Sequence, residues 1–566
     1  MRIYNIDMKL EALKSIEIKA IEVPKKVVVP RFADASKLSD RIFGALCRIN
    51  PELPCMEDPK FLKNVFQCIE AAGGTVPDKN TDLVFYMKYN KTVQEWRKWY
   101  EIEKMRTAAY RKAYKDKIKQ ANEEKKAKYG KVLINGVEEN LQSWTIEPEG
   151  IFFGRGESPL NGFWKKATEP SEIVVNSNSS NLPKLIVDEQ ETDFNWNVKW
   201  EPNSHFAAQY NIVVGIPSAD GNIKTVKATK YKMIQFAANS SVKKEGQSKK
   251  YAAASELGKS YDLIIQQVEK DFEKARTNCK FAELSTAIAV YMLFEKGIRI
   301  GSPEATVNNT KGLLSLEWGK EVYRQGNKIK FNFYGKDSVK DTSFIETEYA
   351  DIIEKGWSKY TKLQTDKASI KNYVGNLVPE IKDVFSPKLC RTAVAASVML
   401  KALDAVTAKY KLTKDTPEAL KKLAFNEANM EVAKKLNHQR GVNKVAAAKR
   451  EEANKLKKEG LKEREAKVKE LKEKRLQKIE SLKAKGNSKE KIAKIKEQIK
   501  KADERIAQSK RDLKFREENG DITASTSKGA YIDPSIVADF CTKIDLSLEK
   551  IYSKSQMQQF SQFFGS

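Results

Sequence analysis

Residues 444–518 constrain the fold of this chain more strongly than any other segment. They carry 27 Lys and Arg residues against 15 Asp and Glu residues, with no proline and one aromatic residue, Phe515. This composition indicates long helices with mostly solvated faces. In the second half, apolar residues alternate at spacings of three and four positions, as in the seam between paired helices: Ile492, Ile495, Ile499, Ala502 and Ile506. The segment therefore predicts an elongated pair of helices.

The first half of the segment has a looser pattern. Its apolar residues still follow one helical face: Leu456, Leu461, Val468, Leu471, Leu476, Ile479 and Leu482. Residues 485–488, Lys-Gly-Asn-Ser, interrupt the helical pattern between the two halves. We therefore expect an antiparallel coiled-coil hairpin that returns the chain near its starting point. A solvated, charged spacer is a simpler interpretation of this hairpin than a specific binding surface.

The charge of the whole chain points to an anionic partner. The 566 residues carry a formal net charge of +27, and phosphate backbones are the commonest polyanions. The six cysteines are scattered without a C-x-x-C pair, which argues against a thiol-rich zinc site and for a reducing compartment. Charges interrupt the N-terminal residues where a signal peptide needs an apolar run, and no run has the about 18 apolar residues of a membrane span. We expect a soluble, intracellular protein.

Mixed secondary structure is predicted before the basic segment. The first part should contain a helical block at 36–72, a basic helix from Thr92 to Lys128 and short strands at Lys131–Ile134, Ile173–Val175, Asn197–Trp200, Tyr210–Gly215 and Lys224–Lys227. Residues 246–440 should be mainly helical, with an apolar helix at 281–298, a β-hairpin within 312–334 that turns near residues 325–327, and helices at 389–412 and 416–438.

Few residues offer catalytic chemistry. The sequence has no P-loop, no H-E-x-x-H motif and only two histidines, His205 and His438. An enzyme that cuts a phosphodiester without a metal must supply its own cations, and arginine donates well to phosphate oxygens. A tyrosine can serve as the nucleophile, and Tyr531 in the segment T-S-K-G-A-Y-I-D-P is a candidate. On the residues alone, a packed aromatic side chain before a turn remains the simpler interpretation of Tyr531.

Six motifs in the same order carry a resemblance to eukaryotic-type DNA topoisomerase IB. Residues 526–536, T-S-K-G-A-Y-I-D-P-S-I, closely resemble its active-site motif T-S-K-x-x-Y-x-D-P-R-I. The others are I-E-P-E-G-I-F-F-G-R-G at 146–156, K-G-I-R-I-G at 296–301, F-Y-G-K-D-S at 333–338, P-K-L-C-R-T at 387–392 and L-N-H-Q-R at 436–440. The similarity is firm from about residue 128 onward and weak before it. Three positions depart from the family pattern: Phe153 and Ser535 replace arginines, and Ala530 replaces an asparagine.

The resemblance implies a catalytic set of Tyr531, Arg299, Lys336, Arg391 and His438. Tyr531 would attack the scissile phosphorus and form a 3′-phosphotyrosine, while the two arginines and the histidine would bind the non-bridging oxygens. Lys336 would protonate the departing 5′-oxygen. It also implies DNA-binding roles for Arg155, Asp337, Lys388 and Lys528, with no metal and no cofactor.

The implied fold class is a multidomain α+β protein that clamps duplex DNA as a monomer. A mixed α/β DNA-binding cap at 1–245 would precede a mainly helical, tyrosine-recombinase-like catalytic core at 246–440. A coiled-coil linker at 441–518 and a small helical C-terminal domain with the tyrosine at 519–566 would follow. We expect the protein to be a compact form without the long hydrophilic N-terminal extension of the nuclear enzymes. The expected location is the nucleus for a cellular source, or a viral factory or virion for a large DNA virus.

Two other functions are compatible with the residues. A tyrosine recombinase or integrase uses the same five residue types, but it lacks the G-R-G motif and the coiled-coil linker. A catalytically inactive clamp on duplex DNA is the second alternative. All five catalytic positions are filled, however, and a decaying site would have no reason to keep them. A DNA topoisomerase that needs neither ATP nor metal is therefore the favoured function.

Overall fold

The computed structural model divides the chain into two compact units, Met1–Glu245 and Gly246–Ser566. The described residues are 3–4, 37–47, 49, 53, 55, 58–73, 101, 104–105, 107–154, 158–178, 182, 185–187, 190–201, 204–218, 222–228, 232–301, 310–336, 339–439, 444–484 and 489–564. Two of the predicted DNA-binding residues, Arg155 and Asp337, and the predicted helix break at 485–488 lie outside these ranges.

The first unit mixes helices with short strands. Helices α1–α3 span Leu38–Cys47, Pro59–Ala71 and Lys115–Tyr129. Strands β1–β8 span Ile3–Tyr4, Lys131–Ile134, Val137–Asn140, Gly150–Ile151, Trp164–Lys165, Val174–Val175, Leu185–Val187 and Gln190–Thr192. Strands β9–β13 span Asn197–Val198, Phe206–Tyr210, Val213–Pro217, Ile223–Lys227 and Lys232–Gln235. The predicted helical block at 36–72 thus forms two helices, α1 and α2. The structure describes only part of the predicted basic helix from Thr92 to Lys128, and that part includes most of helix α3.

Two four-stranded sheets organise this unit. Their strand orders are β13-β10-β6-β9 and β12-β11-β5-β4. The prediction of one strand at Tyr210–Gly215 was wrong, because the chain leaves the first sheet after Tyr210 and enters the second at Val213. Apolar residues continue through this crossing, so the alternation of side chains does not reveal it. Helix α2 packs on the second sheet, where Phe61 and Val65 are fully buried.

The second unit is mainly helical. Helices α4–α10 span Ser241–Lys259, Tyr261–Thr277, Phe281–Glu295, Ala350–Ser358, Lys367–Leu377, Pro387–Tyr410 and Glu418–Lys435. Helices α11–α15 span Lys444–Ala484, Lys489–Glu518, Ser525–Ala530, Pro534–Ile544 and Lys554–Gln559. Strands β14–β18 span Val322–Gln325, Lys328–Phe331, Phe333–Tyr334, Lys340–Asp341 and Phe344–Glu346. The predicted β-hairpin forms between β14 and β15, with its turn at Gly326.

Helix α6 lies at the centre of the larger core of this unit. Every residue from 284 to 294 is buried, which explains why its sequence is apolar on all sides. A second core joins helices α9 and α10 to the C-terminal segment, where Ile532 and Val537 are fully buried. This packing fixes the chain directly after Tyr531, because Ile532 is the next residue.

Helices α11 and α12 pack against each other in opposite directions. Lys472 pairs with Asp503 at 2.6 Å, and Glu465 pairs with Lys510 at 2.7 Å, so a lower number on one helix meets a higher number on the other. The predicted seam residues of α12 are half-buried, and the direct neighbours of the first four of them are exposed. We call α11 and α12 together the helical hairpin.

The predicted seam of α11 was partly wrong. Leu456, Leu471 and Leu476 are exposed, although Leu461 and Ile479 are buried as expected. From residue 461 onward, the buried or half-buried positions instead alternate at spacings of four and three: 461, 465, 468, 472, 475, 479 and 482. Three of these positions hold Glu465, Lys472 and Arg475, whose charged ends bond to α12. A pattern of apolar residues alone therefore selects the wrong leucines.

No helix in the described part of the chain is long and apolar enough to span a bilayer.

Candidate active site

A tight turn after helix α6 positions Arg299. Gly297 adopts a left-handed backbone with φ of +64°, and a Cβ there would lie 3.1 Å from Leu436 Cδ2. Farther on, the backbones of Gly301 and Gly312 approach so closely that a Cβ on Gly312 would lie 2.5 Å from Gly301 Cα. Gly312 is followed by Leu313, whose backbone N–H donates to the carbonyl of Arg299 at 2.9 Å. Both close approaches need glycine.

Arg391 is buried on helix α9, with 4% of its surface exposed. Its guanidinium donates to the carbonyl of Gly297 and, at 3.0 Å, to the carbonyl of Leu436. These bonds hold the guanidinium plane between the turn after α6 and the end of α10. Burial is the main cause that lowers the pKa of Arg391 to about 10. The nearby Tyr531 raises this pKa in part, whereas the positive charge of Arg299 lowers it further.

His438 follows helix α10 and is 5% exposed. Its Nε2 lies 3.4 Å from Arg391 Nη2, and its ring centroid lies 5.2 Å from that of Tyr531. Because a guanidinium can only donate, this geometry assigns the acceptor role to Nε2 and the proton to Nδ1. Burial lowers the pKa of His438 to about 3, and the charges of Arg391 and Arg299 act in the same direction. The imidazole is therefore neutral near pH 7.

Tyr531 lies directly after the short helix α13. Its hydroxyl oxygen accepts a hydrogen bond from Arg299 Nη1 at 3.0 Å, and Arg391 Cζ lies 5.1 Å from its ring centroid. Burial by itself raises the pKa of the phenol, but the charges and hydrogen bonds of Arg391 and Arg299 outweigh burial, so the pKa is lowered. The site thus stabilises a phenolate.

Buried polar contacts hold the segment that carries Tyr531. Ser527 is fully buried, and its hydroxyl donates to Asn429 Oδ1 at 2.7 Å. The amide nitrogen of Asn429 donates to the carbonyl of Ala524 at 3.0 Å. The backbone N–H of Thr523 donates to the carbonyl of His438 at 2.8 Å. Helix α10, through Asn429, and the backbone of His438 therefore hold in place the segment that carries the tyrosine.

Four of the five predicted catalytic residues thus come together in the second unit: Arg299, Arg391, His438 and Tyr531. Arg299 bonds to the hydroxyl of Tyr531, and the guanidinium of Arg391 and the neutral imidazole of His438 lie beside its ring. Such a pocket stabilises a negatively charged oxygen on the tyrosine and a phosphate-like anion beside it.

The same residues fall within regions that match known sequence families. Residues 239–475 match the catalytic core of eukaryotic DNA topoisomerase I, residues 50–215 match its DNA binding fragment, and residues 503–562 match the C-terminal topoisomerase domain. The chain belongs to the eukaryotic DNA topoisomerase I family.

Relatives agree with the family assignment. DNA topoisomerase 1 beta of Arabidopsis thaliana is 27% identical over 82% of this chain and 48% of its own length. DNA topoisomerase 1 of Homo sapiens is 26% identical over 80% of this chain and 57% of its own length. DNA topoisomerase 1 of Caenorhabditis elegans is 28% identical over 80% of this chain and 54% of its own length. The chain thus spans about half the length of these relatives.

The fifth predicted catalytic residue of this topoisomerase I relative, Lys336, lies apart from the pocket contacts. It is exposed after strand β16, which pairs with β17. Among the described residues, Lys336 makes no hydrogen bond or ion pair to the other four. Its loop is closed by a hydrogen bond from the backbone N–H of Gly335 to the carbonyl of Val339 at 2.8 Å.

The predicted DNA-binding residues divide into three cases. Lys388 is exposed near the start of α9, three positions before Arg391. Lys528 is half-buried, and its ammonium donates to the carbonyl of Ile551 at 2.6 Å, so it contacts the C-terminal segment of its own chain. Arg155 and Asp337 are outside the described residues. Their roles in DNA binding stay predictions.

Sequence reasoning missed several residues that build the pocket. Lys250 donates to the carbonyl of Ala530 at 3.0 Å, and burial lowers its pKa to about 8. Lys296 and Asp341 form a buried ion pair beside Arg391. No local spacing links these partners, because each pair joins distant parts of the chain. Within the described residues, no group of three or more His, Cys, Asp or Glu side chains is arranged to hold a metal ion.

Proposed function

We propose that this protein is a type IB DNA topoisomerase that relaxes supercoiled duplex DNA. The observation that carries the proposal is the 3.0 Å hydrogen bond from Arg299 to the hydroxyl oxygen of Tyr531, in a pocket that also holds Arg391 and His438. A phenol whose pKa is lowered by two arginines is a competent nucleophile. The family assignment and the net charge of +27 support a phosphodiester backbone as its target.

The proposed cleavage step exchanges one phosphate ester for another. Tyr531 loses its proton to solvent water, and its phenolate oxygen attacks the scissile phosphorus. A bond forms between them, and the bond from phosphorus to the 5′-oxygen breaks. Arg299 and Arg391 donate to the non-bridging oxygens, where negative charge accumulates, and His438 donates as well once its Nε2 carries a proton. A bound phosphate would also raise the pKa of His438, because it adds negative charge to a cationic pocket. Lys336 supplies the proton for the departing 5′-hydroxyl.

Religation is the reverse of this step and needs no nucleotide. The energy of the broken phosphodiester remains in the 3′-phosphotyrosine bond while the free 5′ end turns about the intact strand. The 5′-hydroxyl then attacks the phosphotyrosine, and Tyr531 leaves as a phenolate that the two arginines stabilise. The lowered pKa of Tyr531 serves this direction as well, because a more acidic phenol is a better leaving group.

We assign the remaining parts of the chain by the same proposal. Residues 1–245 act as a DNA-binding cap, residues 246–440 as the catalytic core, residues 441–518 as a coiled-coil linker and residues 519–566 as the tyrosine domain, in a monomer that clamps duplex DNA. The segment of the helical hairpin has 27 Lys and Arg residues against 15 Asp and Glu residues, an excess of positive charge that suits a linker beside DNA. In a cellular source the protein would act in the nucleus.

Relaxation of a negatively supercoiled plasmid tests the proposal. The assay contains EDTA and no ATP, and it compares the wild type with Tyr531→Phe. We expect the wild type to relax the plasmid and the variant to bind duplex DNA without relaxing it. Denaturing a stalled reaction should leave the protein on a 3′ DNA end. A need for one particular DNA site would indicate a recombinase, and binding without relaxation by the wild type would indicate an inactive clamp.

A further inference from the structure

A buried ion pair joins the end of helix α6 to strand β17. Lys296 Nζ lies 3.2 Å from Asp341 Oδ2, and the two residues are 7% and 4% exposed. The other carboxylate oxygen, Asp341 Oδ1, accepts a hydrogen bond from the backbone N–H of Ser343 at 3.1 Å and a second from its hydroxyl. Both oxygens of the carboxylate are therefore used, and its orientation is fixed.

A buried ion pair has a high desolvation cost. Removing both charges from water costs free energy, and apolar residues of similar volume often stabilise a fold as well or better. Burial lowers the pKa of Lys296, and the attraction of Asp341 only partly offsets this shift. The pair is therefore poorly explained by stability alone, whereas it fixes the relative position of the two segments that carry it.

The two segments carry different parts of the proposed active site. Lys296 precedes Arg299 by three positions. The next residue, Gly297, has a carbonyl that accepts a hydrogen bond from Arg391. Asp341 lies opposite Phe333 in the β16–β17 pair. Strand β16 ends at Tyr334, two positions before Lys336. The ion pair thus connects the arginine pocket with the short β-hairpin whose loop holds Lys336.

A backbone connection joins the same two segments independently. Lys311 donates its backbone N–H to the carbonyl of Tyr334 at 2.8 Å, and Leu313 donates its own to the carbonyl of Arg299 at 2.9 Å. These two backbone hydrogen bonds remain when the ion pair is removed, so the two segments stay connected. Loss of the pair should therefore shift the β16–β17 hairpin rather than unfold it.

We infer that Lys296 and Asp341 are positioning residues that hold the Lys336 loop against the arginine pocket, so that the Lys336 ammonium meets the departing 5′-oxygen. The inference rests on the proposed function, in which Lys336 is the proton donor. It assigns no contact with DNA to the pair itself. Lys336 is exposed and has no bond to the pocket residues among the described residues, so its placement must come from the hairpin below it.

Two duplex oligonucleotides separate this role from a general structural one. One carries an ordinary phosphodiester at the cleavage position, and the other carries a 5′-bridging sulfur in place of the departing oxygen. A thiolate leaves without a proton, so its departure does not need Lys336. Single-turnover cleavage of both substrates is measured for the wild type, Asp341→Asn, Lys336→Ala and Arg299→Ala.

We expect Asp341→Asn to slow cleavage of the ordinary substrate about 10- to 100-fold, up to the lower limit of general-acid effects because Lys336 itself is still present, and to cleave the sulfur substrate near the wild-type rate. Lys336→Ala should show the same selective loss, whereas Arg299→Ala should slow both substrates. Glu354→Gln, which breaks the exposed ion pair with Arg324, is the matched control and should change neither rate. Equal slowing of both substrates by Asp341→Asn, or no slowing of either, would overturn the inference.

A double variant guards against misfolding. Lys296→Met with Asp341→Leu keeps the interior filled without burying a single unpaired charge. It also removes the acceptor of the two hydrogen bonds from Ser343, so urea unfolding verifies that the variant is folded. We expect it to retain the selective slowing of the ordinary substrate. Wild-type cleavage of both substrates by this folded variant would contradict a positioning role. If the wild type cleaves neither oligonucleotide, the proposed function fails, and that outcome is distinct from failure of the ion-pair inference.

Discussion

Arg299 Nη1 donates a hydrogen bond to the hydroxyl oxygen of Tyr531 at 3.0 Å, although the two residues lie 232 positions apart. The turn after helix α6 supplies the arginine, and the segment after the helical hairpin supplies the tyrosine. Burial of the phenol would raise its pKa, but Arg391 and Arg299 lower it overall. Removing the charge of Arg299 should therefore make the phenol less acidic and the pocket less able to stabilise an anion.

Arg299→Gln should slow cleavage by about 10²–10³-fold, as loss of one donor to a developing anion does elsewhere. The pH profile of single-turnover cleavage should also move toward alkaline pH, because the pKa of Tyr531 rises. Arg324→Gln, which removes an arginine from a surface ion pair, should leave rate and profile unchanged. An unshifted pH profile in Arg299→Gln would show that this arginine does not act on the phenol.

His438 should remain neutral far below the ordinary pKa of histidine. The chain has only two histidines, so His438 and His205 can be followed separately by NMR of labelled imidazoles. The His438 signal should titrate near pH 3, compared with an ordinary value of 6.5. Arg391→Gln should raise this pKa, because one of the two charges that oppose protonation is lost. Titration of the wild-type His438 signal at its ordinary value would contradict the geometry.

The same shift predicts a loss of stability in acid. The folded-state pKa of His438 is depressed, so below pH 6.5 the unfolded chain binds the proton more readily than the folded chain. This group should remove about 1.4 kcal/mol per pH unit from the free energy of unfolding as the pH falls from its unfolded pKa toward its folded pKa. His438→Gln lacks this dependence, so urea unfolding at several pH values should show a shallower acid decline than in the wild type.

The residues that meet in the candidate site could be predicted from the sequence because each lies in a short, local motif. Arg391 and His438 lie in separate motifs whose order is typical of the family, and the structure brings both beside Tyr531. The buried pair Lys296 and Asp341 could not be predicted, since nothing in either local sequence indicates which distant charge it meets. Long-range polar contacts depend on packing that no periodicity encodes.

The helical hairpin shows the same limit on a larger scale. The apolar repeat of α12 predicted its half-buried side, but Leu471 and Leu476 of α11 are exposed while Lys472 and Arg475 face the partner helix. Long cationic side chains can bury their stems and still pair their charged ends. A count of apolar residues therefore misses a seam that is built in part from charged ones.

Ser527→Ala should destabilise the segment that carries the tyrosine. The change removes the hydroxyl that donates to Asn429 Oδ1 and leaves that buried oxygen without its donor. Leaving such a group unsatisfied costs about 1–3 kcal/mol of the free energy of unfolding. Ser525→Ala, at an exposed position of the same helix, should cost less than about 0.5 kcal/mol. Urea unfolding of the two variants compares them, and equal stabilities would refute the role of the Ser527–Asn429 contact.

Gly312→Ala should disturb Arg299 without touching the DNA or the tyrosine. The added Cβ would lie 2.5 Å from Gly301 Cα and 2.9 Å from the carbonyl oxygen of Arg299, so one backbone must move. A displacement of about 1 Å at a reacting group can cost about 10²-fold in rate, and we expect a loss of that order in plasmid relaxation. Gly258→Ala is the matched control, because a Cβ there meets nothing within 4 Å and its position is helical. That change should stabilise the protein by about 0.5–1 kcal/mol and leave relaxation intact. Wild-type relaxation by Gly312→Ala would mean that the glycine contact does not govern the position of Arg299.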